Sequence, residues 1–200
     1  ESSFQLLQRK GYQELKFFGL ISRQKSNLNY FETNEKEKVM ELKELIENVQ
    51  QWSKDRGLDK ADNRKQLLKL YEEFGELVQG HLKGNIEQVK DSIGDMLVVE
   101  IIYCQQSRIV LGSLYVEEPT SPHGMTTLLC DIAISIGDLS GNFGPRTNKR
   151  NIQDINRYLQ IISIRYGTTL EACLELAWNE IKDRKGKMVD GVFVKEEDLK

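Results

Sequence analysis

The chain reads NRKQLLKLYEEFGELVQGHLKGNIEQVKDSIGDMLVVEIIYCQQS from residue 63 to residue 107, and this stretch decides the fold. Apolar residues in its first half recur at three- and four-residue steps, which predicts a helix from about Asn63 to Leu82 with one buried face. Gly84 lies beyond the end of that helix, and a second helix is predicted from Ile86 to about Ser107. Because their connection is short, the two helices should be antiparallel neighbours.

The rest of the chain also carries helical patterns. Helices are predicted from Glu37 to about Arg56, from about Gly124 to Asn142, from Asn151 to about Arg165, and from a capping box of Thr168 and Glu171 to about Lys185. Residues 188–194 place β-branched side chains around the turn pair Asp190-Gly191, which predicts a hairpin. The fold class is therefore all-α, a helical bundle with a small C-terminal β-hairpin.

The length of 200 residues favours one compact unit. Residues 1–36 show weaker periodicity and form an N-terminal extension whose role the sequence does not assign. Residues 37–200 form the helical domain, with an additional helical segment at about 108–167. The tetrapeptide Ser-Ile-Gly-Asp occurs at 92–95 and at 135–138, but four residues are weak support for an internal duplication.

Composition excludes several classes of protein. A formal net charge of -3 argues against general binding to nucleic acid, whose phosphates demand a basic surface. The chain shows neither an apolar run of the roughly 20 residues that span a bilayer nor a leader, so a cytoplasmic protein without membrane contact is expected. The three cysteines, Cys104, Cys130 and Cys173, are interpreted as core thiols, and two histidines exclude chemistry that needs several imidazoles.

Two groups of acidic residues carry the candidate chemistry. Glu72, Glu73 and Glu76 share the first helix of the deciding stretch, and Asp91 and Asp95 lie one turn apart on the second. Antiparallel packing can bring these carboxylates together, and Mg²⁺ prefers such hard oxygen ligands while leaving positions for phosphate oxygens. A Mg²⁺-polyphosphate is therefore the natural ligand. A ferritin-like di-iron site is excluded because neither histidine has the required Glu three residues before it.

The alternative is that these acids form a solvated helix face, paired with Lys69 or Lys83 or with nothing. Asp95 favours a site, because it precedes the apolar run 96–99 and burying an idle charge there would be costly. By the same reasoning Glu100, within an otherwise apolar run, should have a polar or cationic partner.

The motifs resemble those of a known family. EEFGEL at 72–77 and IGDML at 93–97 resemble the Glu-Glu-x-x-Glu and Glu-x-x-Asp pair of the MazG-like, all-α nucleotide pyrophosphohydrolases. WNEIKDRKGKM at 178–188, followed by DGVF at 190–193, is similar to the C-terminal segment of phage-type members. The resemblance covers roughly residues 37–107 and 168–199. It implies a MazG-like bundle and an enzyme that cuts a nucleoside triphosphate into a monophosphate and pyrophosphate.

The resemblance also implies roles for individual residues. Glu73, Glu76 and Asp95 would bind Mg²⁺, which Mn²⁺ can replace, and Glu72 would hold a further ion or orient the attacking water beside Glu73. Asn179 would contact the sugar or base, and Lys182, Arg184 and Lys185 the phosphates. The chain departs from the family at Ser92, where the pattern has Glu, and Asp91 could supply the missing carboxylate.

Several readings stay open at this point. Basic residues near the end of a helix also complement the helix dipole, which is the interpretation adopted for Lys187 and for His81, and His81 is expected to be exposed. Trp52 and Trp178 are expected in the core. A homodimer or larger homo-oligomer is expected to cover the apolar second helix of the deciding stretch, unless residues 108–167 do so. The rivals to an enzyme are a Mg²⁺-nucleotide sensor with little turnover and a non-catalytic helical interaction protein.

Overall fold

The computed structural model describes residues 40–110, 121–141, 144–190 and 192–199, and shows a mostly helical protein. The predicted extension 1–36 lies outside the described residues. The helices are α1 (Leu42–Asp55), α2 (Asn63–Lys83), α3 (Ile86–Gln106), α4 (Met125–Ser140), α5 (Pro145–Arg165) and α6 (Leu170–Ile181). A hairpin of β1 (Gly186–Val189) and β2 (Val192–Lys195) follows. The prediction of a helical fold with a small C-terminal hairpin is confirmed.

Helices α2 and α3 form the antiparallel pair that the sequence predicts. Gly84 ends α2 in the left-handed conformation, with φ of 65°, which suits a residue without a Cβ. Asn85 then caps α3, because its Oδ1 accepts a hydrogen bond from the backbone N–H of Gln88 at 3.2 Å. The Gln88 side chain also donates to the carbonyl of Glu76, at 3.3 Å from Nε2 to O.

Helix α3 is the centre of the bundle. Its residues from 96 to 104 are all buried. Helices α1, α2, α5 and α6 pack against it. Helix α5 belongs to the segment 108–167, so this segment contributes to the cover of α3 within one chain, as the alternative to an oligomer required. A homo-oligomer is therefore not needed to bury α3.

The buried Glu100 has a polar neighbour, Asn156, and no cationic partner among the described residues. It is 1% exposed, and its carboxylate oxygens make no hydrogen bond of ordinary length and angle among the described residues, although Asn156 lies close enough to favour the charged form. Burial raises the pKa of Glu100 well above its ordinary value, and the neighbouring Asn156 lowers that pKa only in part. The structure thus accommodates Glu100 as a neutral acid rather than as half of an ion pair.

We expect Glu100→Gln to remove part of the pH dependence of stability. Because the folded-state pKa is raised, the contribution of Glu100 is fully present below its unfolded pKa and is lost as the pH rises towards the folded pKa. Above the unfolded pKa of Glu100 this loss can reach about 1.4 kcal/mol per pH unit. Urea unfolding at several pH values should give a flatter curve for Glu100→Gln than for wild type. An identical slope in both proteins would contradict a neutral Glu100, and exposed Glu47→Gln is the control.

Three helix boundaries differ clearly from prediction. Helix α1 begins at Leu42, after the non-helical Met40 and Glu41, and not at the predicted Glu37. Helix α5 begins at Pro145, six positions before the predicted Asn151, because proline at the first helical turn supplies a suitable φ and loses no hydrogen bond. Helix α6 ends at Ile181 rather than at Lys185. The chain turns there, with the N–H of Arg184 donating to the carbonyl of Ile181 at 2.9 Å, so that β1 can begin. The basic residues after Ile181 therefore follow the helix instead of forming its last turn.

Three further expectations need correction. The cap of α6 is Thr169 and not Thr168, since Thr169 Oγ1 accepts from the N–H of Ala172 at 3.2 Å. Cys130 is exposed, because it lies off the buried stripe of α4, whereas the other two cysteines are buried. His81 is half-buried rather than exposed, and its Nδ1 lies 2.8 Å from the hydroxyl of Tyr166.

The two Ser-Ile-Gly-Asp copies occupy different environments. The first lies in α3, the second helix of its pair, and the second lies in α4, the first helix of the α4–α5 pair. Gly94 is buried, whereas Gly137 is exposed. A Cβ at Gly94 would lie 2.2 Å from the carbonyl oxygen of Cys173, so this glycine lets α6 approach α3 closely. The repeat therefore does not mark equivalent positions of a duplicated unit.

The β-hairpin is anchored on the first two helices. Its register pairs Gly186 with Lys195 and Val189 with Val192, and Asp190 in the turn has a φ of 48°. Gly191, the other predicted turn residue, lies outside the described residues. The Phe193 ring meets the Trp52 ring edge-on, with centroids 5.5 Å apart, and Lys65 Nζ donates to the carbonyl of Asp190. These contacts hold the hairpin as one wall of a cavity.

Candidate active site

A cavity of about 480 Å³ lies between α2, α3, the end of α6 and the hairpin. We call it the central cavity. Apolar side chains, among them Val98, Ile102 and Phe193, form part of its lining. Its charged lining consists of the acids Glu72, Glu73 and Asp95 and the cations Lys65, Lys69, Arg184 and Lys195. A pocket with apolar walls and a few convergent charged groups is typical of a small-molecule site.

The acids from α2 and α3 meet in this cavity, as the antiparallel packing predicts. Glu73 is only 8% exposed. Lys69 lies between the two glutamates, with Nζ 2.7 Å from Glu72 Oε2 and 3.0 Å from Glu73 Oε1. Burial raises the pKa of Glu73, Lys69 lowers it, and the negative charges of Glu76 and Glu72 raise it further. Lys69 therefore favours the ionised form of Glu73 against the effect of burial.

Asp95 is the most strongly perturbed acid of the cavity. Burial, the largest cause, together with the charges of Glu73, Asp91 and Glu180 raises its pKa to about 7, and Arg184 lowers it in part. Burial and then Glu180 and Glu73 raise the pKa of Asp91 as well. Such mutual repulsion is what an added cation would relieve, and perturbed acids in a cleft are candidates for function.

A set of contacts at the end of α6 positions Arg184. Arg56 donates from Nη2 to the carbonyl oxygen of Arg184 at 2.9 Å, and its guanidinium lies over the Trp52 ring, 4.4 Å from the centroid. Trp52 donates from Nε1 to the carbonyl of Ile181 at 2.8 Å. The predicted core position of Trp52 is confirmed, and its ring also lines the central cavity. The Arg184 backbone is thus fixed at the cavity wall.

Other residues singled out from the sequence lie further out. Glu76 is exposed and does not line the central cavity. Asn179 and Lys182 are both exposed and pair with each other, at 2.8 Å from Lys182 Nζ to Asn179 Oδ1. Lys185 lines a neighbouring groove of about 600 Å³, which shares Arg184 and Lys195 with the central cavity.

Four charged residues of the site are absent from the sequence-based set of site residues, namely Lys65, Lys69, Lys195 and Glu180. Lys65 and Lys69 stand one turn apart on α2, and in the sequence Lys69 figures only as an ion-pair partner on a solvated face. Glu180 belongs to the C-terminal motif, and its Oε2 lies 3.8 Å from Arg184 Nη2. Its effect on Asp91 and Asp95 depends on the packing of α6 against α3, which the local pattern does not predict.

The acids of the central cavity have the oxygen chemistry that a divalent cation prefers, but Lys69 occupies part of this donor set. Within the described ranges no group of three or more His, Cys, Asp or Glu side chains is arranged so that it could hold a metal ion as it stands. The Lys69 ammonium is a stand-in for such an ion, because it binds carboxylates from two residues. Carboxylate oxygens are the ligands that Mg²⁺ and Mn²⁺ prefer. Departure of the ammonium would free oxygens of Glu72 and Glu73 for a cation near Asp95.

None of the helices in the described ranges is both long and apolar enough to cross a membrane.

Comparison with known proteins leaves the family open. No family model matches the chain, and no solved structure matches it. The chain is 46% identical over 72 residues to an uncharacterized 18.2 kDa protein in the rep-hol intergenic region of Haemophilus phage HP1 (strain HP1c1). That match covers 36% of this chain and 44% of the phage protein. The chain is therefore similar, over less than half the length of either protein, to a phage protein whose description states no activity.

Proposed function

We propose that the chain is a Mg²⁺-dependent nucleoside triphosphate pyrophosphohydrolase with a bundle of the MazG-like, all-α type. The observation that carries this proposal is the meeting of three acids with four cations, Lys65, Lys69, Arg184 and Lys195, in one cavity. The acids supply ligands for a divalent ion, and the cations supply partners for phosphates that the ion does not neutralise. A purely structural role for these acids accounts poorly for a carboxylate as buried as Glu73.

The proposed reaction is the one that the resemblance to the MazG-like family implies. Water adds to phosphorus at the α–β link, the bond from that phosphorus to the bridging oxygen breaks, and pyrophosphate and a nucleoside monophosphate leave. Bound Mg²⁺ supplies neutralisation of charge on the attacking and leaving oxygens. Glu72, whose side chain is 58% exposed beside the cavity, accepts the proton that the water loses. Arg184 and Lys195 hold the departing phosphates.

Purified protein should release pyrophosphate from a nucleoside triphosphate in the presence of Mg²⁺ or Mn²⁺, and excess chelator should abolish that release. A panel of ribo- and deoxyribonucleotides, assayed for pyrophosphate and monophosphate, tests this and gives the preferred base and sugar. Release of inorganic phosphate instead of pyrophosphate would contradict cleavage at the α–β link. No turnover with any nucleotide, together with no rise in melting temperature, would leave only a non-catalytic helical protein.

Ser92 favours a second candidate, a Mg²⁺-nucleotide sensor with little turnover. The side chain is fully buried, and its Oγ has no hydrogen-bond partner among the described residues. It therefore brings no charge to the position at which the MazG-like pattern has a carboxylate. A sensor would show nucleotide-dependent thermal stabilisation in Mg²⁺ with very slow pyrophosphate release, whereas the enzyme shows both.

Asp91→Asn should raise the Mg²⁺ concentration needed for half-maximal activity. Asp91 stands one turn before Asp95 and interacts electrostatically with Glu73, so it is the carboxylate best placed to replace the one missing at Ser92. Loss of one charged ligand should weaken Mg²⁺ by at least about tenfold. Ser92→Ala is the matched control, since it changes the adjacent residue without removing charge. An unchanged Mg²⁺ requirement in Asp91→Asn would remove this residue from the site.

A further inference from the structure

We infer that Lys69 is a built-in counter-cation of the site, which holds Glu72 and Glu73 until a metal–nucleotide complex arrives and then moves to the phosphates. This inference rests on the function proposed above and adds a positioning residue to it. Its basis is the ammonium group of Lys69, which contacts both glutamates within the central cavity, at 2.7 and 3.0 Å.

Helix stability alone explains this arrangement poorly. Lys69 precedes Glu72 and Glu73 by three and four positions, and this order, with the cation nearer the helix N-terminus, is the weaker one for a helical ion pair. An exposed pair of this kind stabilises a helix only slightly. Glu73 is nevertheless buried, so the pair lies in the cavity and not on a solvated face.

The geometry makes Lys69 a competitor of the metal. A divalent ion on Glu72 and Glu73 needs the same oxygen lone pairs that the ammonium now uses, and two cations this close together repel each other. The lysine side chain has a flexible stem of four carbons, so the ammonium group can leave the carboxylates while the backbone stays in α2. Its other anionic partner would be the triphosphate, which the proposed function brings into the same cavity.

Metal and nucleotide binding are therefore coupled. Without nucleotide, binding of the ion breaks the contacts between Lys69 and the two glutamates, and the ammonium gains no new anionic partner. With nucleotide present, the displaced ammonium regains an anionic partner, so each ligand strengthens the binding of the other. This arrangement would keep the metal site weakly occupied until a substrate is present.

Binding of Mn²⁺ to the Lys69→Met variant of the full chain tests this inference. It is measured by calorimetry and by the electron paramagnetic resonance spectrum of free Mn²⁺. Without nucleotide, the variant should bind Mn²⁺ at least about fivefold more tightly than wild type. With Mn²⁺ present, it should bind a nucleoside triphosphate with a non-hydrolysable α–β link more weakly. A residue with a merely structural role would weaken both ligands together.

A second cavity lysine provides the control for the loss of charge, and a second substitution at Lys69 provides a check on folding. Lys65→Met removes the same charge from the same cavity without touching the two glutamates, so it should tighten Mn²⁺ clearly less. Lys69→Gln repeats the test if Lys69→Met folds poorly. Equal Mn²⁺ affinity in wild type and both Lys69 variants would overturn the role of Lys69 and leave the proposed function standing. Absence of Mn²⁺ binding in all of them would overturn both.

Discussion

Glu73→Gln and Asp95→Asn should each lower pyrophosphate release by at least about 100-fold, while the protein stays folded. An amide keeps the shape of the side chain but removes the charge that a divalent cation needs. Glu73 is the most buried acid of the central cavity, and Asp95 faces it from α3. Steady-state rates over a range of Mg²⁺ concentrations, with circular dichroism as a check on folding, measure the effect.

Asp95→Asn should lower activity but raise the stability of the metal-free protein. Because the pKa of Asp95 is raised to about 7, ionisation of Asp95 destabilises the metal-free fold as the pH rises from its unfolded value through about 7. Asp95→Asn should therefore unfold at a higher urea concentration than wild type at about pH 8 without metal. Added Mg²⁺ should stabilise wild type more than the variant.

Glu87→Gln is the matched control for both effects. Glu87 lies on α3 like Asp95, but its side chain is 80% exposed and paired with Lys90 at 2.9 Å. This control should change neither rate nor stability appreciably. Full turnover in Glu73→Gln or in Asp95→Asn would exclude that carboxylate from the metal site.

The helices could be predicted because local pattern and packing agree in them. In α2 and α3 the apolar stripe, the cap Asn85 and the terminal Gly84 all indicate the same boundaries, and the structure differs from them by at most one residue. The end of α6 could not be predicted in this way. Residues 182–185 have good helical propensity, but β1 must begin at Gly186 for Phe193 to reach Trp52, so tertiary contacts override the local preference.

The candidate site could be predicted only where its residues share a helix pair. The meeting of Glu73 with Asp95 follows from periodicity and a short connection, and the structure brings both into the central cavity. Glu180 acts on Asp91 and Asp95 through the packing of α6 on α3, which no local pattern contains. Asn179 and Lys182 were assigned by resemblance alone, and they lie on the surface, paired with each other.

That packing depends on Gly94, and Gly94→Ala should destabilise the protein by at least about 2 kcal/mol. An alanine Cβ there would lie 2.2 Å from the carbonyl oxygen of Cys173 and 3.0 Å from the Cβ of Ala177. The first contact is with backbone, so α6 itself must move away. Because Glu180 lies in α6 and Arg184 follows its end, a shift of α6 moves both residues, and activity should fall together with stability.

Gly137→Ala is a closely matched control, because it makes the same substitution in the second Ser-Ile-Gly-Asp copy, in another helix. A Cβ at Gly137 would meet nothing within 4 Å, so alanine should cost no packing there and should stabilise α4 by about 0.5–1 kcal/mol through its better helix propensity. Urea unfolding of the two variants beside wild type measures both signs at once. A neutral or stabilising Gly94→Ala would mean that α6 does not lie against α3 at this glycine, and the grouping of Glu180 and Arg184 with Asp95 would then lose its structural basis.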